Sequence, residues 1–221
     1  VHLSSSFLYL NSEAIQKMTL LRSGVKILPM KKLSTYMFLI LFSFQTPSLG
    51  SDIRDFEIED ISIGDSLLKY LSEKDIKVGL ERTKDHYSYT DKKFRSVYIY
   101  EGQFEIYEYV SVNVKHGDKK YIIYAVRGMI DFSEGKDCYK KQEEIVSDLE
   151  IYTKELIKNK WTRKHPVDKT GKSKATGITW DFSTGATVSV TCYDFAKHVK
   201  RTSGLDVTIR SAEYSKWLKK Y

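Results

Sequence analysis

From Phe94 to Phe132, apolar and polar side chains alternate with a period of two, the spacing of a half-buried strand. The pattern predicts strands over 96–100, 105–115 and 119–132. His116-Gly117-Asp118 turns the last two into a hairpin. The period then lengthens. Ile145, Leu149, Tyr152 and Leu156 recur at spacings of four, three and four, which predicts the longest helix over 137–159 with one apolar stripe. Alternation returns over 161–165, 175–182, 186–193 and 205–210, with Ser183-Thr184-Gly185 turning the middle pair. Tyr214, Trp217 and Leu218 mark an amphipathic helix over 211–221. Upstream, 56–61 reads as a short strand. Residues 62–71 read as a helix with Ile63, Leu67, Leu68 and Leu71 on one side.

The order is therefore β-α-βββ-α-ββββ-α. Short turns favour antiparallel pairing over parallel crossovers. The expected fold class is α+β, a mainly antiparallel sheet with helices packed on one face. A helix followed by three or four strands occurs twice, but no sequence repeat accompanies it.

The first fifty residues follow a different pattern. Lys31 and Lys32 precede an apolar run over 33–44, and small residues Ser48 and Gly50 stand at −3 and −1 of a cleavage site after Gly50. Residues 30–50 thus read as a cleavable export signal, the apolar run being short for a membrane span. Ser51 occupies the place where a lipoprotein would carry cysteine, so no acyl anchor is expected. Residues 1–29 are read as an upstream segment, mis-translated or disordered, with Met30 favoured as the start over Met18 or Val1. The expectation is one α+β domain over 51–221, periplasmic or secreted, with no stable membrane anchor after cleavage.

This reading changes the charge balance. The whole chain has 36 basic and 29 acidic side chains. Five basic residues (Lys17, Arg22, Lys26, Lys31, Lys32) and one acidic residue (Glu13) fall before residue 51, leaving a net +3 beyond it. That is an ordinary surface balance and excludes a nucleic-acid signature. Cys138 and Cys192 are the two cysteines, and both follow the signal. Two thiols in an oxidising compartment pair, so a Cys138–Cys192 disulfide is expected, stapling the long helix to a strand. There is no CxxC, no HExxH and no carboxylate cluster at metal spacing, so no metal or cofactor is expected.

Two motifs suggest chemistry that their surroundings do not support. Gly64-Asp65-Ser66-Leu67 spells the GDSL of an esterase family. A nucleophilic Ser66 needs a base and an oxyanion hole. The family's Gly-x-Asn-Asp and Asp-x-x-His are missing, and Ser62 with Asp65 has the spacing of a helix cap. Gly171-Lys172-Ser173 resembles the end of a phosphate-binding loop, but Pro166 stands where that loop needs glycine. The basic run over 158–174 carries Arg163, Lys164 and Lys172, with Trp161 and His165 interleaved. It is a candidate contact for an anionic envelope component or an acidic protein. Tyr98 and Tyr100, with Tyr107 and Tyr109, would form a tyrosine face if their strands pair. Tyr107 and Tyr109 are the candidate aromatic contacts, against the alternative that the long helix covers them.

The segments DFEIEDISIGDSLLKYL (55–71), DCYKKQEEIVSDL (137–149), RKHPVDKTGKSKATGITWDF (163–182) and VSVTCYDF (188–195) resemble a family of small exported two-cysteine proteins of Pelagibacter-like marine bacteria. The resemblance implies export and a two-cysteine framework, and assigns no catalytic residue. The leading expectation is a non-enzymatic binding or envelope-support module. The alternatives are a serine hydrolase using Ser66, or an inhibitor-like interaction domain.

Overall fold

The computed structural model of the chain describes residues 52–84, 91–100 and 104–221. The predicted export signal and the segment before it lie outside the described residues. A small hairpin of β1 (Glu57–Ile58) and β2 (Ile61–Ser62) leads into helix α1 (Glu73–Arg82). A meander follows: β3 (Phe94–Ile99), β4 (Tyr109–Lys115) and β5 (Ile123–Phe132). Helix α2 (Gly135–Glu150) then carries the chain to a second meander: β6 (Ile157–Lys164), β7 (Lys174–Asp181), β8 (Thr187–Asp194) and β9 (Ser203–Arg210). Helix α3 (Ala212–Leu218) ends the chain.

The fold is α+β, as its short turns imply. The two meanders merge into one seven-stranded antiparallel sheet, ordered β3-β4-β5-β9-β8-β7-β6, where β5 pairs with β9 from Ala125↔Arg210 to Phe132↔Ser203. Every main-sheet connection except that from β5 to β6 joins strands that pair as antiparallel neighbours.

One face of this sheet is the core. Cys138, Gln142, Ile145, Val146 and Leu149 of α2 are buried. Beneath them lie Val188, Val190 and Cys192 of β8, whose register partners Ile209, Val207 and Leu205 share that side. Fully burying each such aliphatic side chain contributes about 1.5–3 kcal/mol. Two polar devices fix the helix over the apolar seam. Gln142 Nε2 donates to the Thr176 and Val190 carbonyls at 2.8 and 3.0 Å. Cys138 is bonded to Cys192, with their Cα atoms 5.9 Å apart.

The helices do not all share that face. Helix α3 packs one end of the opposite face, where the Phe94 ring meets Tyr214 and Trp217 at 5.0 and 5.2 Å. Only Ser211 separates β9 from α3. Its side chain caps the helix at Tyr214 N, and its own N–H donates to the Tyr124 carbonyl (2.9 Å), so the chain turns back onto the nearest face. Glu213 then bridges Lys93 and Lys115 at 2.8 and 2.9 Å.

The segment before the main sheet differs most from expectation. The strand expected over 56–61 is a hairpin, with Glu59 and Asp60 both at positive φ (51° and 62°), the conformation of a type I′ turn. The Glu59 carboxylate reaches the Ile106 N–H at 3.0 Å, which ties this turn to the main sheet. The helix expected over 62–71 does not form. Its backbone donors go elsewhere, Gly64 N to the Ile123 carbonyl and Leu67 N to the Tyr121 carbonyl, both at 2.9 Å. Only a 3-10 turn at Leu67–Lys69 remains. The true helix is α1, capped by Ser72, whose Oγ accepts from Asp75 N. Helix α2 stops at Glu150, and Tyr152 and Leu156 continue its stripe from a turn, packed against the core. Among the described residues no helix is long and apolar enough to cross a membrane.

Candidate functional site

The face opposite α2 carries the side chains of alternate strand positions, and α3 leaves its other end open. A cleft of about 670 Å³ lies there. Register sets its plan. One cross-strand row runs Tyr109, Met129, Asp206 and Thr191, and the next runs Asp131, Gly204 and Tyr193. Gly204 places no side chain between Asp131 and Tyr193, which leaves the space open.

One wall is the tyrosine stack. Tyr98 lies 5.8 Å from Tyr100, and Tyr100 lies 5.8 Å from Tyr109. The facing wall is Tyr193 and Phe195, stacked nearly parallel at 6.2 Å and 9°. His165 stands edge-on to both, 5.8 Å from Tyr193 and 4.9 Å from Phe195. At the floor, Arg127 Nη2 is paired with Asp206 Oδ2 at 2.6 Å. Arg201 sits at the rim, 5.9 Å from the Phe195 ring.

Burial governs the electrostatics. Asp206 is 6% exposed, and its loss of hydration raises its pKa against the opposing pull of Arg127. Burial also pushes the Tyr109 and Tyr193 phenols up and Arg210 down. Arg210 Nε is buried without a hydrogen-bond partner among the described residues. His165 is held below its ordinary value by burial first, then by Arg201 and Arg163. Its Nδ1 accepts from Val167 N at 3.2 Å, which assigns the ring proton of the neutral form to Nε2. The cleft thus offers flat apolar walls for a ring and guanidinium donors for an anion.

The predicted site residues divide between structures. Trp161 and Arg163 lie on the open face, with the Arg163 guanidinium 4.2 Å over the indole. Trp161 spreads across Gly177, where a Cβ would come within 2.2 Å of its ring, and its Nε1 donates to Thr179 Oγ1. Strand alternation sends Lys164 to the other side of β6. Lys172 belongs to a loop wrapped around the Asp168 carboxylate. Asp168 accepts from the N–H groups of Thr170, Lys172 and Ser173 and from both hydroxyls, and these bonds, led by that of Thr170, hold its pKa well below the usual carboxylate range. An internal carboxylate therefore takes the donors that a phosphate-binding loop would offer.

Three of the four expected tyrosines form the wall. Tyr107 does not: it precedes β4, is 6% exposed, and lies over Gly128 in the core. Tyr107 alone joins the core, while Tyr98, Tyr100 and Tyr109 are on the opposite face. Ser66 Oγ donates to the Lys120 carbonyl at 2.6 Å and accepts from Leu68 N, two backbone contacts that make a turn cap rather than an activated nucleophile. No group of three or more His, Cys, Asp or Glu side chains that could hold a metal occurs among the described residues.

Sequence reasoning missed Arg127, Asp206, Tyr193, Phe195 and Arg201. The available signal was a single charge inside an otherwise apolar central strand, as in Ala125-Val126-Arg127-Gly128-Met129 and Leu205-Asp206-Val207. The chain matches no protein-family model, no curated protein and no solved structure.

Proposed function

We propose that this chain is an exported, non-enzymatic binding domain whose ligand is an anionic envelope component held in the open-face cleft. The observation that carries the reading is the cleft itself. Two aromatic walls face each other across the ion pair of a half-buried Arg127 and a buried Asp206, on the side of the sheet opposite α2. A purely structural face has little need of stacked rings around an open volume, whereas a ligand ring is bound by them. The disulfide supports export, because such bonds persist in oxidising compartments.

The test is a thermal-shift panel of acidic sugars and anionic head groups, run on the wild type, Tyr109→Ala and Arg127→Met. A ligand that raises Tm for the wild type and for neither variant supports the reading. Equal shifts in all three proteins would place binding elsewhere and sink it. Intact mass from a periplasmic extract, before and after reduction, checks export: the expected chain begins at Ser51 and alkylates at two thiols only once reduced.

A further inference from the structure

We infer that the anionic group of the ligand is a phosphate monoester, gripped at the cleft rim by Arg163, His165 and Arg201. The inference rests on the cleft being the binding site and adds which end of the ligand is charged, where that end sits, and what it is made of. Arg163 and His165 lie two positions apart and project from the same side of the β6 ladder, which continues to His165 through its N–H to the Ser173 carbonyl. Arg201 approaches from the β8–β9 connection and lines the cleft with His165.

Each of the three is braced by an aromatic ring rather than by a carboxylate. Arg163 lies on Trp161 at 4.2 Å, Arg201 stands 5.9 Å from Phe195, and His165 meets Phe195 at 4.9 Å. Among the described residues neither guanidinium has an ion-pair partner, in contrast to Arg127 at the floor. The His165 Nδ1 is already occupied by Val167 N, so its Nε2–H is the free donor. Phe195 neighbours both His165 and Arg201, and Arg163 is the next residue along the same side of β6, so the three groups stand at one end of the rim.

The number and charge of these donors select the ligand. One guanidinium satisfies a carboxylate with two parallel hydrogen bonds. Two guanidiniums and an imidazole N–H at one end of the rim exceed what a single negative charge with two oxygens uses. They suit a group of about two negative charges and three acceptor oxygens, which is a phosphate monoester. A sugar ring bearing that phosphate would extend from the rim between the Tyr98–Tyr109 wall and the Tyr193–Phe195 wall. A lipid head group and a free sugar phosphate share this chemistry.

The test uses the 51–221 chain with its disulfide intact. Titration calorimetry compares glucose 1-phosphate with glucuronate, and sedimentation compares phosphatidylcholine vesicles with and without phosphatidic acid. Glucose 1-phosphate should bind at least tenfold tighter than glucuronate. Arg163→Met and Arg201→Met should each lose about tenfold or more for it, since both remove charge-assisted hydrogen bonds. Both arginines are exposed, so these variants fold, which circular dichroism checks. The His165 ring resonances should shift on titration with glucose 1-phosphate or, if the vesicle arm alone binds, with a short-chain phosphatidic acid. Binding of the free sugar phosphate assigns a soluble ligand; binding to the phosphatidic acid vesicles alone assigns a lipid head group. Equal affinity for glucuronate, unchanged binding in both arginine variants, or no binding in either arm overturns the inference. Glucuronate binding lost in Tyr109→Ala but kept in Arg201→Met would overturn the phosphate assignment and leave the cleft reading standing.

Discussion

The two faces of the sheet come from the same strands and follow opposite rules. On the α2 side, Val188, Val190, Cys192, Leu205, Val207 and Ile209 are each no more than 1% exposed, and a disulfide and a glutamine fix the helix above them. On the other side, the intervening residues of β8 and β9 are Thr187, Ser189, Thr191, Tyr193, Asp206, Thr208 and Arg210, and α3 covers only one end. The first face stabilises by removing apolar area from water. The second spends strand positions on hydroxyls, charges and rings that add little to that burial. Charges and rings that converge on a cleft outside the apolar seam are where binding is expected.

The largest expected effect tests the covered face. Replacing both Cys138 and Cys192 with alanine removes a cross-link spanning 54 residues, which costs about 4 kcal/mol on the chain-entropy account. Urea unfolding should show the unfolding free energy falling by that amount. Leu149→Ala, at a wholly buried helix position, should cost about 2–5 kcal/mol. Tyr109→Ala on the open face should cost about 1–2 kcal/mol, the scale of its two ring contacts. If Tyr109→Ala proves as damaging as Leu149→Ala, the open face is a second core and the contrast between the faces collapses.

A matched pair of glycines sharpens the comparison. A Cβ at Gly128 would stand 2.5 Å from the Tyr107 ring, and one at Gly177 would stand 2.2 Å from the Trp161 ring. The clashes are alike and the surroundings are not. Tyr107 is closed in by the core and cannot move, so Gly128→Ala should cost about 1–3 kcal/mol through overpacking. Trp161 lies on an edge strand whose other residues are all exposed, so its ring can swing out. Gly177→Ala should cost less than about 1 kcal/mol while disturbing the Arg163 that rests on the indole. Thermal melts of the two variants, with Trp161 fluorescence for the second, decide between these outcomes.

The legibility of the sequence follows the same division. Alternation revealed the seven main strands because apolar and polar side chains take opposite sides of the inner strands, while the edge strand β6 was read over 161–165 although it begins at Ile157. The two cysteines revealed the staple. The region before β3 was not legible, because its form depends on distant partners: the carbonyls of Tyr121 and Ile123 take the donors that a helix over 62–71 would need. Nor did the sequence show that α2 ends at Glu150, since Tyr152 and Leu156 extend the apolar spacing from a non-helical turn. At the site, Trp161, Arg163 and Tyr109 were found from local pattern. Tyr193, Arg127 and Asp206 come together through the β5–β9 and β8–β9 pairings, which join residues far apart in the chain. The basic run read as one patch because strand alternation, which parts Lys164 from Arg163, was not applied across it.

The smallest effect concerns the charge of the open face. In the folded chain His165 titrates below its ordinary 6.5, through burial first and then Arg201 and Arg163. The unfolded chain therefore takes up this proton at a higher pH than the folded one. The His165 contribution to stability is complete above about pH 6.5 and is lost as the pH falls through the lower folded value. Melting temperatures taken at about pH 7.5 and about pH 5.5 should drop more for the wild type than for His165→Gln. A bound phosphate reverses the sign. Two negative charges beside the ring offset both arginines and favour its protonated form, so phosphate affinity should rise as the pH falls toward about 6, below which the phosphate's own protonation opposes the gain. His165→Gln should flatten both curves. A variant that flattens the stability curve and leaves the affinity curve intact would keep His165 as a member of the aromatic wall and remove it from the anion's contacts.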